Sequence, residues 1–262
     1  MPYVFDNLPW LALFPIAEHE RSLMSAFLLT RDGPIATLTF NRPEKRNPLN
    51  VEVLLEMEGL LHSIRDDPEV RVLVVTGSGN SFCAGADLSA LKGVSDPPVR
   101  QRMLQAQGTR RTSLTARVAL TLRALDQMTI AAINGYAVGG GWMLSLACDF
   151  RIAVEHAEFW FPEVDLGVPL VPEGCRLVVE LVGPARAKEI ILTCRHYKAA
   201  ELQQMGMVYQ IVPAGQLHNA ALSLAQNFAG KKQDAVSWSK ATVNALTRGQ
   251  RILRSDLLLT QA

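Results

Sequence analysis

A chain of 262 residues, 48% of them hydrophobic, can bury a sizeable core and is too apolar for a disordered segment. Its formal charge of +1 offers no electrostatic reason to expect a nucleic acid or an anionic membrane surface as partner. No apolar run nears the ~20 residues that span a bilayer. The four cysteines, Cys83, Cys148, Cys175 and Cys194, are scattered, which suits reduced thiols better than a disulfide framework or a zinc site.

The N-terminus lacks the cationic start and unbroken apolar run of a signal peptide, so a cytoplasmic location is expected. Residues 1–24, interrupted by Pro2, Pro9 and Pro15, read as an N-terminal extension, with the domain proper beginning near Ser25. Ala26 to Thr30 and Ile35 to Phe40 flank Asp32-Gly33-Pro34, a strand–turn–strand signal. Asn50 is a candidate N-cap for a helix over 51–64, where Val53, Leu54, Met57, Leu60, Leu61 and Ile64 share one face. Val70 to Thr76 reads as a strand buried on both faces, which completes a βαβ unit.

That strand empties into Gly77-Ser-Gly-Asn-Ser-Phe-Cys-Ala-Gly-Ala-Asp-Leu88. A dinucleotide-binding reading fails, because the third glycine of G-x-G-x-x-G would fall at Phe82 and no helix opens there. What remains is a small-residue turn beyond the carboxyl end of a parallel strand, ending at Asp87, a residue able to cap the next segment. A long helix is expected over 100–127, with Arg102, Arg110, Arg111 and Arg117 on a solvated face.

The pattern then repeats. Ile130 to Ile133 is a short buried strand, Asn134-Gly135 a turn, Gly139-Gly140-Gly141 a glycine run, and Trp142 to Ala147 an apolar helix. A glycine turn opening a helix leaves backbone N–H groups at the positive end of the helix dipole, a place for an anion or a developing oxyanion. Close packing of helix on strand is the plainer reason for such glycines. Two loops of this kind can aim two amides, from Ala86 and Gly140, at one oxygen. Farther on, a helix from Gly183-Pro184 to Thr193, a short one from Ala199, a strand over 208–212 and helices over 217–228 and 235–246 are expected. His19, His62, His156, His196 and His218 have no ligand spacing, so no metal is expected.

Asn41-Arg-Pro-Glu-Lys-Arg-Asn, Phe82-Cys-Ala-Gly-Ala-Asp-Leu, Asn134-Gly-Tyr-Ala-Val-Gly-Gly-Gly and Cys148-Asp-Phe-Arg-Ile occur in the order and spacing of the enoyl-CoA hydratase/isomerase (crotonase) superfamily. The chain resembles that family from about Ser25 to about Ala241. The resemblance implies an α/β fold: a spiral core of repeated ββα units over 25–195 and a helical, trimer-forming region over 196–262. It implies an acyl-CoA thioester as substrate, with coenzyme A part of that substrate rather than a separate cofactor, and assembly as a trimer or a dimer of trimers. Ala86 and Gly140 would be the oxyanion donors. The coenzyme would lie along Lys45, Arg46, Ala84, Asp87 and Leu88, although an exposed Lys-Arg pair is as readily ordinary surface. Gly139, Trp142, Met143 and Trp160 would adjoin the acyl group.

The family's hydratases resemble one another in carrying two glutamates, one just after the glycine run and one before the next Leu-Gly. Here the first position is Met143, whose thioether carries no proton, and the second is Glu163. The expected chemistry is therefore a double-bond shift with Glu163 as the base, in aromatic and apolar surroundings that strengthen a carboxylate as a base. A surface carboxylate is the plain alternative for Glu163. Glu173, in Val171-Pro-Glu-Gly-Cys175, resembles the base of peroxisomal-type enoyl-CoA isomerases but is two residues out of register. It could equally favour a helix N-terminus. A single-glutamate enoyl-CoA hydratase/lyase, an acyl-CoA hydrolase, and a weakly catalytic acyl-CoA-binding protein are the competing readings.

Overall fold

The computed structural model describes residues 25–89, Pro98 and residues 114–247. The N-terminal extension over 1–24 lies outside the described residues, as do Arg102, Arg110, Arg111 and the final residues 248–262.

Strands β1 (Phe27–Asp32) and β2 (Ile35–Phe40) pair antiparallel through a two-residue turn at Gly33-Pro34. Helix α1 (Val51–Arg65) follows. The Asn50 side chain accepts the Val53 amide at 2.8 Å, and all six apolar residues named above are buried on its inner face. β3 (Val72–Gly77) lies parallel to β2, as a βαβ unit requires. β5 (Met128–Ile133) is buried along its whole length, because neighbouring strands and packed layers cover both its faces. With β7 (Phe150–Val154) and β10 (Gln210–Val212) these strands form a six-stranded sheet in the order β1-β2-β3-β5-β7-β10.

A second sheet, in the order β4-β6-β8-β9, consists of β4 (Ser81–Cys83), β6 (Tyr136–Val138), β8 (Glu158–Trp160) and β9 (Tyr197–Lys198). These strands are two or three residues long, too short to show a period of two in sequence. Together with the first sheet they make the repeat ββα rather than a plain βαβ. β3 and β4 precede a helix described over 114–123 (α2), and β5 and β6 precede α3 (Gly140–Ala147). β7 and β8 precede α4 (Pro172–Leu192). This is the crotonase-like spiral that the motifs lead one to expect.

One helix boundary differs from the expectation. α2 stops at residue 123 rather than 127, and Gln127 turns back so that its side-chain amide donates to the Ile64 carbonyl at 2.9 Å. The helix expected to begin at Gly183-Pro184 is the second half of α4, set off from the first half by a kink at Gly183, where φ is 74° and ψ 169°. Proline at 184 accounts for the break, since its ring cannot continue the preceding turn. The C-terminal part carries α5 (Ala199–Gln204), α6 (Leu217–Ala229) and α7 (Gln233–Thr247). α6 packs across β3, β5 and β7.

α7 is fastened by a buried cation. Lys240 Nζ lies 2.7 Å from Asp149 Oδ2 and donates to the Gln127 carbonyl at 2.7 Å. The same carboxylate oxygen accepts the amide and hydroxyl of Thr129, both at 2.8 Å. Among the described residues no helix is long and apolar enough to cross a membrane, and no histidine, cysteine or carboxylate cluster could hold a metal.

Candidate active site

Three loops at the ends of successive spiral turns converge: 84–88 after β4, 139–140 after β6, and 161–168 after β8. Their closeness is set by backbone contacts. A Cβ added to Gly85, whose φ is +76°, would stand 2.5 Å from the Val138 carbonyl oxygen and 3.6 Å from the Gly140 nitrogen. The first two loops therefore touch, with Ala86 next in line after Gly85. Neither the Ala86 nor the Gly140 amide donates to a backbone or side-chain group among the described residues. Gly140 is the first residue of α3, where helix geometry leaves the amide without an intrahelical acceptor.

The first loop is held by Leu49, a residue with no role in the expectations drawn from sequence. Leu49 pairs with Ala86 in a parallel bridge: its amide donates to Gly85 O at 2.6 Å and its carbonyl accepts the Asp87 amide at 2.8 Å. This bracket uses the polar groups on either side of Ala86 and spares the Ala86 amide. The Leu49 side chain also reaches the second loop, with Cδ1 3.2 Å from where a Cβ of Gly140 would stand, and Thr115 Cγ2 lies 3.3 Å from the same point. Buried Asn47 completes the brace. Its side-chain NH₂ donates to Ser81 O at 2.8 Å and Ser78 O at 3.0 Å, while its carbonyl oxygen accepts the Arg42 amide at 2.9 Å. Leu49, Thr115 and Asn47 escape a sequence reading because their contacts are long-range. The turn-breaking Asn47-Pro48 step is their one local signal.

Glu163 opens the turn after β8, and its carbonyl accepts the amides of Leu166 at 3.1 Å and Val168 at 3.0 Å. Its side chain runs back to the second loop. Oε1 lies 2.7 Å from the point a Cβ on Gly139 would occupy, one residue from the Gly140 amide, and Oε2 is buried. The strand and the loop are joined by a hydrogen bond from Gly139 N–H to Trp160 O at 3.0 Å. The expected shuttle and the expected oxyanion donor are thus neighbours.

Met143 is 1% exposed, and its Sδ lies 3.1 Å from the Cβ position of Gly174, in the first turn of α4. Glu173 stands in that turn, half-buried, where a carboxylate favours the helix dipole. Cys175 comes next but one. Burial, with the nearby negative charge of Glu163 adding to it, pushes the Cys175 thiol above the ordinary range. Burial pushes Cys83, behind the first loop, up to about 12.

The tryptophans divide. Trp142 is 1% exposed and stacks on Phe161 with centroids 4.4 Å apart, backed by Phe159 and Tyr197. It is core between α3 and the second sheet rather than a surface open to a ligand. Trp160, one residue out of phase with Phe159 and Phe161, points to the other side of the strand. There it stacks on His196 at 4.0 Å and meets Tyr136 edge-on. The structure therefore does not bring Trp160 together with Trp142 and Met143. Arg46 lies over the same Tyr136 ring at 5.6 Å. Lys45 and Arg46 are exposed, and Ala84 donates its amide to Arg46 O at 2.9 Å. Asp87 caps Ser89 through a 3.0 Å bond to its amide and faces Arg42 at 3.7 Å. Partial burial raises the Asp87 carboxyl, but the Ser89 hydrogen bonds and the charges of Arg42 and Lys45 outweigh it and hold the group below the usual range. Leu88 is half-buried beside it.

A spiral of ββα units whose glycine loops present free amides beside a carboxylate is an arrangement able to stabilise an oxyanion. The sequence profile of the enoyl-CoA hydratase/isomerase family matches residues 30–257, and the chain belongs to that family. A short-chain-enoyl-CoA hydratase of Clostridium acetobutylicum is 36% identical over 218 residues, covering 83% of this chain and 80% of that one. The crystal structure of an enoyl-CoA hydratase from Bacillus anthracis superposes with a TM-score of 0.75 at 33% identity, over 84% of this chain and 82% of that one. A monofunctional enoyl CoA isomerase from M. smegmatis superposes with a TM-score of 0.71 at 32% identity, over 86% and 94%.

Proposed function

We propose that the chain catalyses a double-bond shift in a 3-enoyl-CoA, with Glu163 as the proton shuttle and the Ala86 and Gly140 amides as the oxyanion donors. The observation that carries this reading is the placement of Glu163 Oε1 against Gly139, one residue from the Gly140 amide, while the first family glutamate position is filled by buried Met143. In the reaction the Glu163 carboxylate takes a proton from C2. The electron pair moves onto the thioester oxygen, where the two amides receive it. The carboxylic acid then returns the proton at C4 as the pair flows back, leaving the double bond between C2 and C3. No atom is gained or lost, and water takes no part.

Coenzyme A enters as part of the substrate along Ala84, Asp87 and Leu88, and the active form would be a trimer or a dimer of trimers. Glu173, in the first turn of α4 behind Met143, is the reserve candidate for the base. Hydration of a 2-enoyl-CoA is the second reading, favoured by the names of relatives such as the Clostridium hydratase. Turnover of 3-hexenoyl-CoA by the wild type, lost ~10²–10⁴-fold in Glu163→Gln with coenzyme A binding kept, supports the shift. Fast hydration of crotonyl-CoA with slow isomerisation would establish the second reading in its place.

A further inference from the structure

We infer that Gly139 is the positioning residue for Glu163: it sets where the carboxylate stands relative to the Gly140 amide, and does not serve as a substrate contact. The inference rests on the reading of Glu163 as the shuttle and adds the device that holds it in place.

Gly139 is buried, with φ +50° and ψ −122°, a conformation that a side chain at this position would strain. Conformation is only half of its role. The space where a Cβ would project is filled by the carboxylate, with Oε1 at 2.7 Å, Cδ at 3.6 Å and Pro162 Cδ at 3.7 Å. Real Cβ atoms do not tolerate the first of these distances. Its polar groups fix the same geometry from both sides: the N–H donates to Trp160 O at 3.0 Å, and the carbonyl accepts the Met143 amide at 2.9 Å. One residue therefore ties the strand leading to Glu163, the first turn of α3 and the carboxylate oxygen together. A methyl group here would displace the carboxylate from the donor next door, and an error of about 1 Å in such a pair can cost ~10²-fold in rate. With coenzyme A placed along Ala84, Asp87 and Leu88 as proposed, its affinity would not change.

The test is a double-mutant cycle of Gly139→Ala with Glu163→Asp in the full chain, read by turnover, coenzyme A titration and urea unfolding. Gly139→Ala is expected to lower kcat ~10²-fold, with the affinity for coenzyme A essentially unchanged. Shortening Glu163 removes its oxygen from the methyl, so the losses of the two single variants, in kcat and in unfolding midpoint, should fail to add. Additive losses would assign Gly139 a purely conformational role and overturn the inference. So would a drop in coenzyme affinity that accounts for the lost turnover. If Gly139→Ala does not fold, a cooperative transition regained in Gly139→Ala/Glu163→Gly supports the contact, and its absence overturns it. Full activity in Glu163→Gln would instead remove the shuttle reading, and the unfolding cycle would still decide whether the two residues meet as described.

Discussion

Gly141 lies so close to Cys83 that a Cβ on it would stand 2.4 Å from the Cys83 carbonyl oxygen and 2.7 Å from its Sγ. The helix carrying the Gly140 amide is thus seated directly on the strand that feeds the Ala86 loop. Gly141→Ala should push the two donors apart. The expected result is ~1–3 kcal/mol lost from overpacking, read in urea unfolding, and a ~10²–10³-fold fall in kcat for loss of a donor. Gly59→Ala is the control, since nothing lies within 4 Å of its Cβ position inside α1. That change should stabilise by ~0.5–1 kcal/mol and leave turnover alone. Equal behaviour of the two variants would contradict the seating.

Met143 is the residue proposed to separate the two reactions. Its buried thioether packs close to Gly174, so Met143→Leu, a swap of similar volume, should cost less than about 1.5 kcal/mol and keep isomerisation. Met143→Glu places a carboxyl group at a position 1% exposed and should be destabilising. It should nevertheless raise the ratio of crotonyl-CoA hydration to hexenoyl-CoA isomerisation. A ratio unchanged from wild type in a folded Met143→Glu protein would show that this position does not choose the reaction.

Lys240 joins the last described helix to the centre of the sheet. Its side chain is 5% exposed and that of Asp149 15%, so removing the amine strands a carboxylate beside Thr129. Lys240→Ala is expected to destabilise by ~3–5 kcal/mol, measured by chemical denaturation. Replacing both partners, as in Lys240→Met/Asp149→Asn, should recover part of that loss. A single-variant cost under about 1 kcal/mol, no more than an exposed pair contributes, would mean that α7 is held by its apolar contacts instead.

The thiols should titrate apart. Burial pushes Cys83 and Cys148 up to about 12, with the charge of Asp149 adding to the latter. At about pH 8 both are neutral and covered, and iodoacetamide should modify neither in the folded protein. Half-buried Cys175, raised by burial and by Glu163, should react slowly, and faster in Glu163→Gln, where the opposing charge is gone. Mass spectrometry of the alkylated peptides reads the order, and early labelling of Cys83 would contradict the closed loop packing.

Much of this molecule is local and therefore legible from sequence. The hairpin at Gly33-Pro34, the Asn50 cap, the apolar face of α1 and the fully buried β5 each arise from a few adjacent residues. The four motifs, in their order, pointed to the family, and the acid/base role proposed for Glu163 and the reading of Met143 rest on that resemblance. The short strands of the second sheet could not be read this way, because two or three residues hold no period, and neither could the face on which each tryptophan falls. Phe161 and Trp160 are neighbours in the chain, yet one is core against Trp142 and the other stacks on His196. What only tertiary structure decided is distance: Leu49 bracketing Ala86, Cys83 under Gly141, and the Glu163 carboxylate against Gly139. Each of those approaches joins residues far apart in the chain, and closing such loops is driven by burial of the whole core rather than by any preference written at either end.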